Sequence, residues 1–87
     1  MTAKVTMYCV PGHLGCTRAE DYLKSKGVTD IEMAWVDADP YLRTEMWART
    51  ERKTLPQIFI GETHVGGFVD LVELDQEGGL DALLKAD

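Results

Sequence analysis

Thr54-Leu-Pro-Gln-Ile-Phe-Ile-Gly-Glu-Thr-His-Val-Gly-Gly67 is the stretch that decides the fold. Gln57 to Ile60 reads as a short strand, because isoleucine and phenylalanine fit a half-buried pleated surface. Gly61-Glu62-Thr63 is a tight turn, and His64-Val65-Gly66 a second short strand, so the two form a hairpin. An antiparallel pair at this point matters because what precedes it alternates between strand and helix.

Lys4 to Cys9 reads as a strand, with Val5, Thr6 and Tyr8 as strand formers. Val10-Pro-Gly-His-Leu-Gly15 is a loop, since Pro11, Gly12 and Gly15 break both regular patterns. Cys16 to Lys26 is a helix whose apolar face holds Ala19, Tyr22 and Leu23, with Gly27 as its C-cap after Lys24 and Lys26. Ile31 to Val36 is the next strand. Asp39-Pro40 starts a second helix, a side-chain cap followed by a residue already fixed at helical φ. That helix runs to about Thr50 and is expected to bury Leu42, Met46 and Trp47.

Beyond the hairpin, Gly66-Gly67 leads into a last helical region, Val69 to Leu74 and Leu80 to Leu84, interrupted at Gly78-Gly79. The order is β-α-β-α-β-β-α. Strands joined through a helix run parallel with a right-handed crossover, and the hairpin adds an antiparallel pair. The expectation is one α/β domain over residues 1–87, a four-stranded mixed sheet flanked by helices.

The bulk numbers narrow the function. Nine lysines and arginines against 15 acids give a net charge of −6, which argues against nucleic acid or an anionic membrane as partner. Solubility alone accounts for that charge. No apolar run approaches the ~20 residues of a membrane helix, and the opening residues show no signal-peptide pattern, so a cytoplasmic location is expected. In that compartment the two cysteines, Cys9 and Cys16, are thiols with chemistry rather than a structural staple.

Nearly the whole chain resembles a small bacterial glutaredoxin. The resemblance rests on Val5-Thr-Met-Tyr8, Cys16-Thr-Arg-Ala19, the Lys26-Gly-Val28 helix exit, Thr54 to Ile60, His64-Val-Gly-Gly67 and Gly79-Leu-Asp-Ala-Leu-Leu84, in order and correctly spaced. It implies the thioredoxin fold, thiol–disulfide redox chemistry in cell redox homeostasis, glutathione or a thiol-containing protein as partner, and a monomer.

The family carries C-P-Y-C at the start of its first helix, the second cysteine three residues before an alanine. Cys16 stands three before Ala19, so it matches that second cysteine, and the nucleophile's place falls on His13. Imidazole serves as base or nucleophile but forms no mixed disulfide. Activity then depends on Cys16, with His13 as its cation or base and Cys9 as a relocated partner thiol. The blander readings are that Cys16 and Cys9 are small buried residues. A Cys9–Cys16 disulfide needs Cα atoms within ~7 Å. Cys9-x3-His13-x2-Cys16 also offers three soft ligands, but a structural zinc wants four. Iron–sulfur clusters held by some glutaredoxins use the cysteine that His13 replaces, so no metal is expected.

For glutathione, the resemblance makes Pro56 the family's cis-proline, leaving the Leu55 backbone free to pair with the cysteinyl part, with Thr54 beside it. Asp70, following Gly67, matches the acid that meets the glutamyl amino end. Val10 replaces the lysine that grips the glycyl carboxylate, with Arg49, Arg52 and Lys53 near enough to substitute and Arg52 the preferred one. His64, Trp35 and Trp47 read as structural. The expected function is a weak or atypical glutathione-linked oxidoreductase with a degenerate His-Leu-Gly-Cys site; the alternative is a non-catalytic glutathione- or protein-binding module.

Overall fold

A computed structural model describes residues 3–85, so Met1, Thr2, Ala86 and Asp87, the ends of the expected domain, lie outside the described residues. The elements are β1 (Val5–Cys9), α1 (Leu14–Ser25), β2 (Ile31–Trp35), α2 (Pro40–Thr50), β3 (Gln57–Ile60), β4 (Thr63–Gly66), α3 (Phe68–Gln76) and α4 (Gly79–Lys85). The sheet order is β2-β1-β3-β4, with β1 parallel to β2 and antiparallel to β3, and β3 antiparallel to β4. This is the expected four-stranded mixed sheet of the thioredoxin fold.

Strand alternation sorts the core. Successive side chains leave β1 on opposite faces. Val5, Met7 and Cys9 therefore join Cys16, Ala19 and Leu23 of α1, Ile58 and Ile60 of β3, and Leu71, Leu80 and Leu84 of the last two helices. Tyr8 points the other way and packs with Val36, Met46 and Phe59 on the α2 side. With both faces covered, β1 and β3 are buried almost throughout, as central strands require.

Local chemistry ends the elements where the sequence indicates. At the end of α1 the N–H of Gly27 donates to Lys24 O at 3.0 Å and that of Val28 to Leu23 O at 3.1 Å. These are the two bonds of a Schellman motif, with Gly27 at φ +92° supplying the left-handed residue. Lys26 itself is the C-cap, one residue before the expected Gly27. Asp39 caps α2 by accepting Tyr41 N–H at 3.0 Å, and Pro40 opens the helix.

Three expectations shift. The helix expected at Cys16 begins at Leu14, so Gly15 lies in its first turn rather than in the loop. Trp47 is 38 % exposed instead of buried, because α2 turns Met46 inward and leaves the next residue on its flank under Lys53, whose Nζ stands 4.9 Å from the indole centroid. The last helical region breaks as expected, but its second helix opens at Gly79 itself rather than at Leu80.

Candidate functional site

Three segments meet at one end of the sheet, where β1 finishes and β3 begins. A β-carbon built on Gly15 of α1 would stand 3.3 Å from Pro56 Cδ, and one on Gly67, the N-cap of α3, 3.5 Å from Pro56 O. The α1 N-terminus, the Leu55–Pro56 segment and the α3 N-terminus are therefore in contact. The Leu55–Pro56 peptide is cis. Leu55 is half-buried and Thr54 is exposed.

His13 is the N-cap of α1. Its Nδ1 accepts the backbone N–H of Cys16 at 3.3 Å, doing what a serine or aspartate oxygen does at most helix starts. The acceptor must be unprotonated, so the neutral ring carries its proton on Nε2. The ring lies back over Gly15, whose added β-carbon would stand 3.1 Å from His13 Cε1.

Cys16 follows in the first turn and is 4 % exposed, while Cys9 at the end of β1 is wholly buried; both are free thiols. Burial is the main force pushing the Cys9 thiol far above its ordinary value, and the Cys16 side chain beside it adds to the effect, with Glu20 contributing further. The fold thus brings the two sulfurs into one neighbourhood. Among the described residues no three His, Cys, Asp or Glu side chains converge as a metal-ligating set, so Cys9, His13 and Cys16 do not form one.

On the other side of Pro56, Asp70 Oδ2 accepts Gly67 N–H at 2.9 Å and pairs with Arg52 Nη1 at 2.9 Å. The Gly67 N–H, then the Arg52 guanidinium, hold the Asp70 carboxyl below its ordinary value against the opposing effect of burial. Gly66 must be glycine: its φ is +112°, and a β-carbon would stand 2.8 Å from Asp70 Cγ. The two residues expected at opposite ends of the ligand thus pair with each other.

The other two cations proposed for the carboxylate are also engaged. Arg49 Nη1 donates to the Tyr8 hydroxyl at 2.7 Å and its guanidinium carbon lies 3.8 Å from the Phe59 centroid. The Tyr8 hydroxyl in turn donates to Glu45 Oε1 at 2.5 Å, and burial followed by that carboxylate raises its pKa. Lys53 lies over Trp47.

One polar group escaped the sequence reading. Gln57 is fully buried at the head of β3, and its amide links Thr54 to His64. The signal was a glutamine in an otherwise apolar strand beside the proline.

A family model described as Glutaredoxin matches residues 5–65. The chain is 52 % identical over 81 residues to a glutaredoxin of Neisseria meningitidis serogroup A, covering 93 % of this chain and 95 % of that one. It is 50 % identical over 70 residues to glutaredoxin 3 of Escherichia coli K12, covering 80 % and 83 %. Among solved structures, the solution structure of a Brucella melitensis glutaredoxin superposes with a TM-score of 0.81 at 46 % identity, covering 97 % of this chain and 90 % of that one.

Proposed function

The chain belongs to the glutaredoxin family, whose chemistry is thiol–disulfide redox exchange with glutathione, and from that premise we propose that it acts as a monothiol oxidoreductase through Cys16. The single observation that carries this reading is the place of Cys16. It is the thiol in the first turn of α1, next in sequence to Gly15, which lies against Pro56, and its backbone N–H is held by the capping imidazole.

In the proposed cycle the Cys16 thiolate attacks the glutathione sulfur of a mixed disulfide. A bond forms between Cys16 Sγ and that sulfur, the original S–S bond breaks, and the released thiolate takes up the proton that Cys16 gave up. A second glutathione thiolate then attacks the adduct, freeing Cys16 and leaving as oxidised glutathione, so two electrons pass from glutathione to the substrate. Cys9 stays outside this cycle, because its burial holds it protonated. Leu55, Pro56 and Thr54 supply the strand-like edge, and Asp70 with Gly67 and Arg52 receives the zwitterionic end of glutathione. The protein works as a monomer in the cytoplasm; among the described residues no helix is long and apolar enough to cross a membrane.

A second reading has its own support: Cys16 is only 4 % exposed, which favours a scaffold that binds glutathione or a partner without turnover. Intact mass after treatment with oxidised glutathione separates the two. A single adduct, retained in Cys9→Ala and lost in Cys16→Ser, supports the redox reading. Reduced-glutathione binding with no adduct in any variant replaces it with the binding module.

A further inference from the structure

Gln57 has a fully determined set of partners. Its Nε2 donates to Thr54 O at 3.0 Å and to Thr54 Oγ1 at 3.1 Å. Its Oε1 therefore faces His64 Nε2, 2.7 Å away. A carboxamide oxygen only accepts, so His64 donates and its Nε2 carries the proton. The imidazole is stacked on Phe59, its partner across the hairpin, with ring centroids 5.0 Å apart. Arg49 from α2, Arg52 from the segment before β3 and Asp70 from α3 are the charged groups facing it.

Without that donor the Thr54 carbonyl still holds Nε2, but Oε1 is left buried with no partner, and satisfying it means shifting or turning the amide. Turned over, its oxygen would oppose the carbonyl of Thr54, two acceptors in a dry site. The disturbance would fall on Thr54, the residue before Leu55. We propose that His64 is a positioning residue for the ligand edge, acting through Gln57 to hold Thr54 and hence the Leu55 backbone. This rests on the reading of that edge as the glutathione site and adds a control from the far strand of the hairpin.

The test compares wild type with His64→Phe, which keeps the stack and deletes the donor, and His64→Gln, which restores an N–H in nearly the same place. Imidazole ¹⁵N shifts in the wild type should show the Nε2–H tautomer at His64. In His64→Phe the Thr54 and Leu55 amide resonances should move and reduced glutathione should bind about three- to tenfold more weakly, the worth of one hydrogen bond. His64→Gln should restore both. An Nδ1–H tautomer in the wild type overturns the proposal, as do unmoved Thr54 and Leu55 resonances in His64→Phe or a folded His64→Gln that rescues neither. If wild type itself fails to bind reduced glutathione, the functional reading falls, and the resonances and tautomer alone decide the positioning role.

Discussion

His13 and Cys16 are joined by a side-chain-to-backbone hydrogen bond, ring Nδ1 accepting the amide proton at 3.3 Å. The donor that would serve a thiolate at position 13 is therefore taken by an imidazole. His13→Ala should lower stability by about 1 kcal/mol, and His13→Asp should recover most of it, because an aspartate both caps and suits the helix dipole. Urea denaturation with unchanged m-value checks both. His13→Cys should hand that donor back to a thiolate and raise mixed-disulfide reduction above that of the wild type.

Glu51 closes α2 in the left-handed region at φ 58°, donating to Trp47 O at 2.8 Å. A side chain with a β-carbon is costly there, and glycine is the usual solution. Glu51→Gly should stabilise the protein by about 0.5–1 kcal/mol, the steric relief being partly offset by glycine's unfolded-state freedom. A higher urea midpoint with the same slope is the expected result.

Gly66→Ala should be severe. It forces a β-carbon into the Asp70 carboxylate at a φ of +112°. A loss of about 2 kcal/mol or more is expected, together with weaker binding of reduced glutathione, since Asp70 and Arg52 would both have to move. Calorimetric titration of the folded fraction separates the two effects.

Stability should change with pH in two windows. Burial, then Arg52, lowers the pKa of His64 from its ordinary 6.5. The folded state resists protonation more than the unfolded chain, so His64 contributes fully above 6.5 and the contribution is lost as pH falls through the folded value. Asp70, held down first by Gly67 N–H, contributes above its ordinary 3.8 and loses that contribution at still lower pH. His64→Phe should flatten the first window and leave the second.

Both thiols should resist alkylation in the native protein. Iodoacetamide should label Cys16 before Cys9, because Cys9 is more deeply buried and held protonated. Equal labelling of the two, followed by mass spectrometry, would contradict the packing of β1 against α1.

The fold was legible because its signals are local. The Gly27 exit, the Asp39-Pro40 entry and the Gly61-Glu62 turn are short-range chemistry that a sequence displays directly. The start of α1 was missed because imidazole is not among the usual capping side chains. Trp47 was misplaced because Met46 beside it takes the inward position, and only the packed sheet decides between neighbours. The Arg52–Asp70 pair spans 18 residues, and the Gln57–His64 bond depends on hairpin register, so neither is visible before the strands are paired.

The ring of His13 lying over Gly15 makes the two positions a single unit of substitution. With histidine at 13, a β-carbon at 15 crowds the imidazole and Pro56 together. With any smaller residue at 13, one of those two obstacles disappears. The effect of a change at 15 thus depends on its neighbour two residues back, which is epistasis in a concrete form. A stepwise route toward an aromatic at 15 is smoother when position 13 changes first, and the reverse order passes through a strained intermediate.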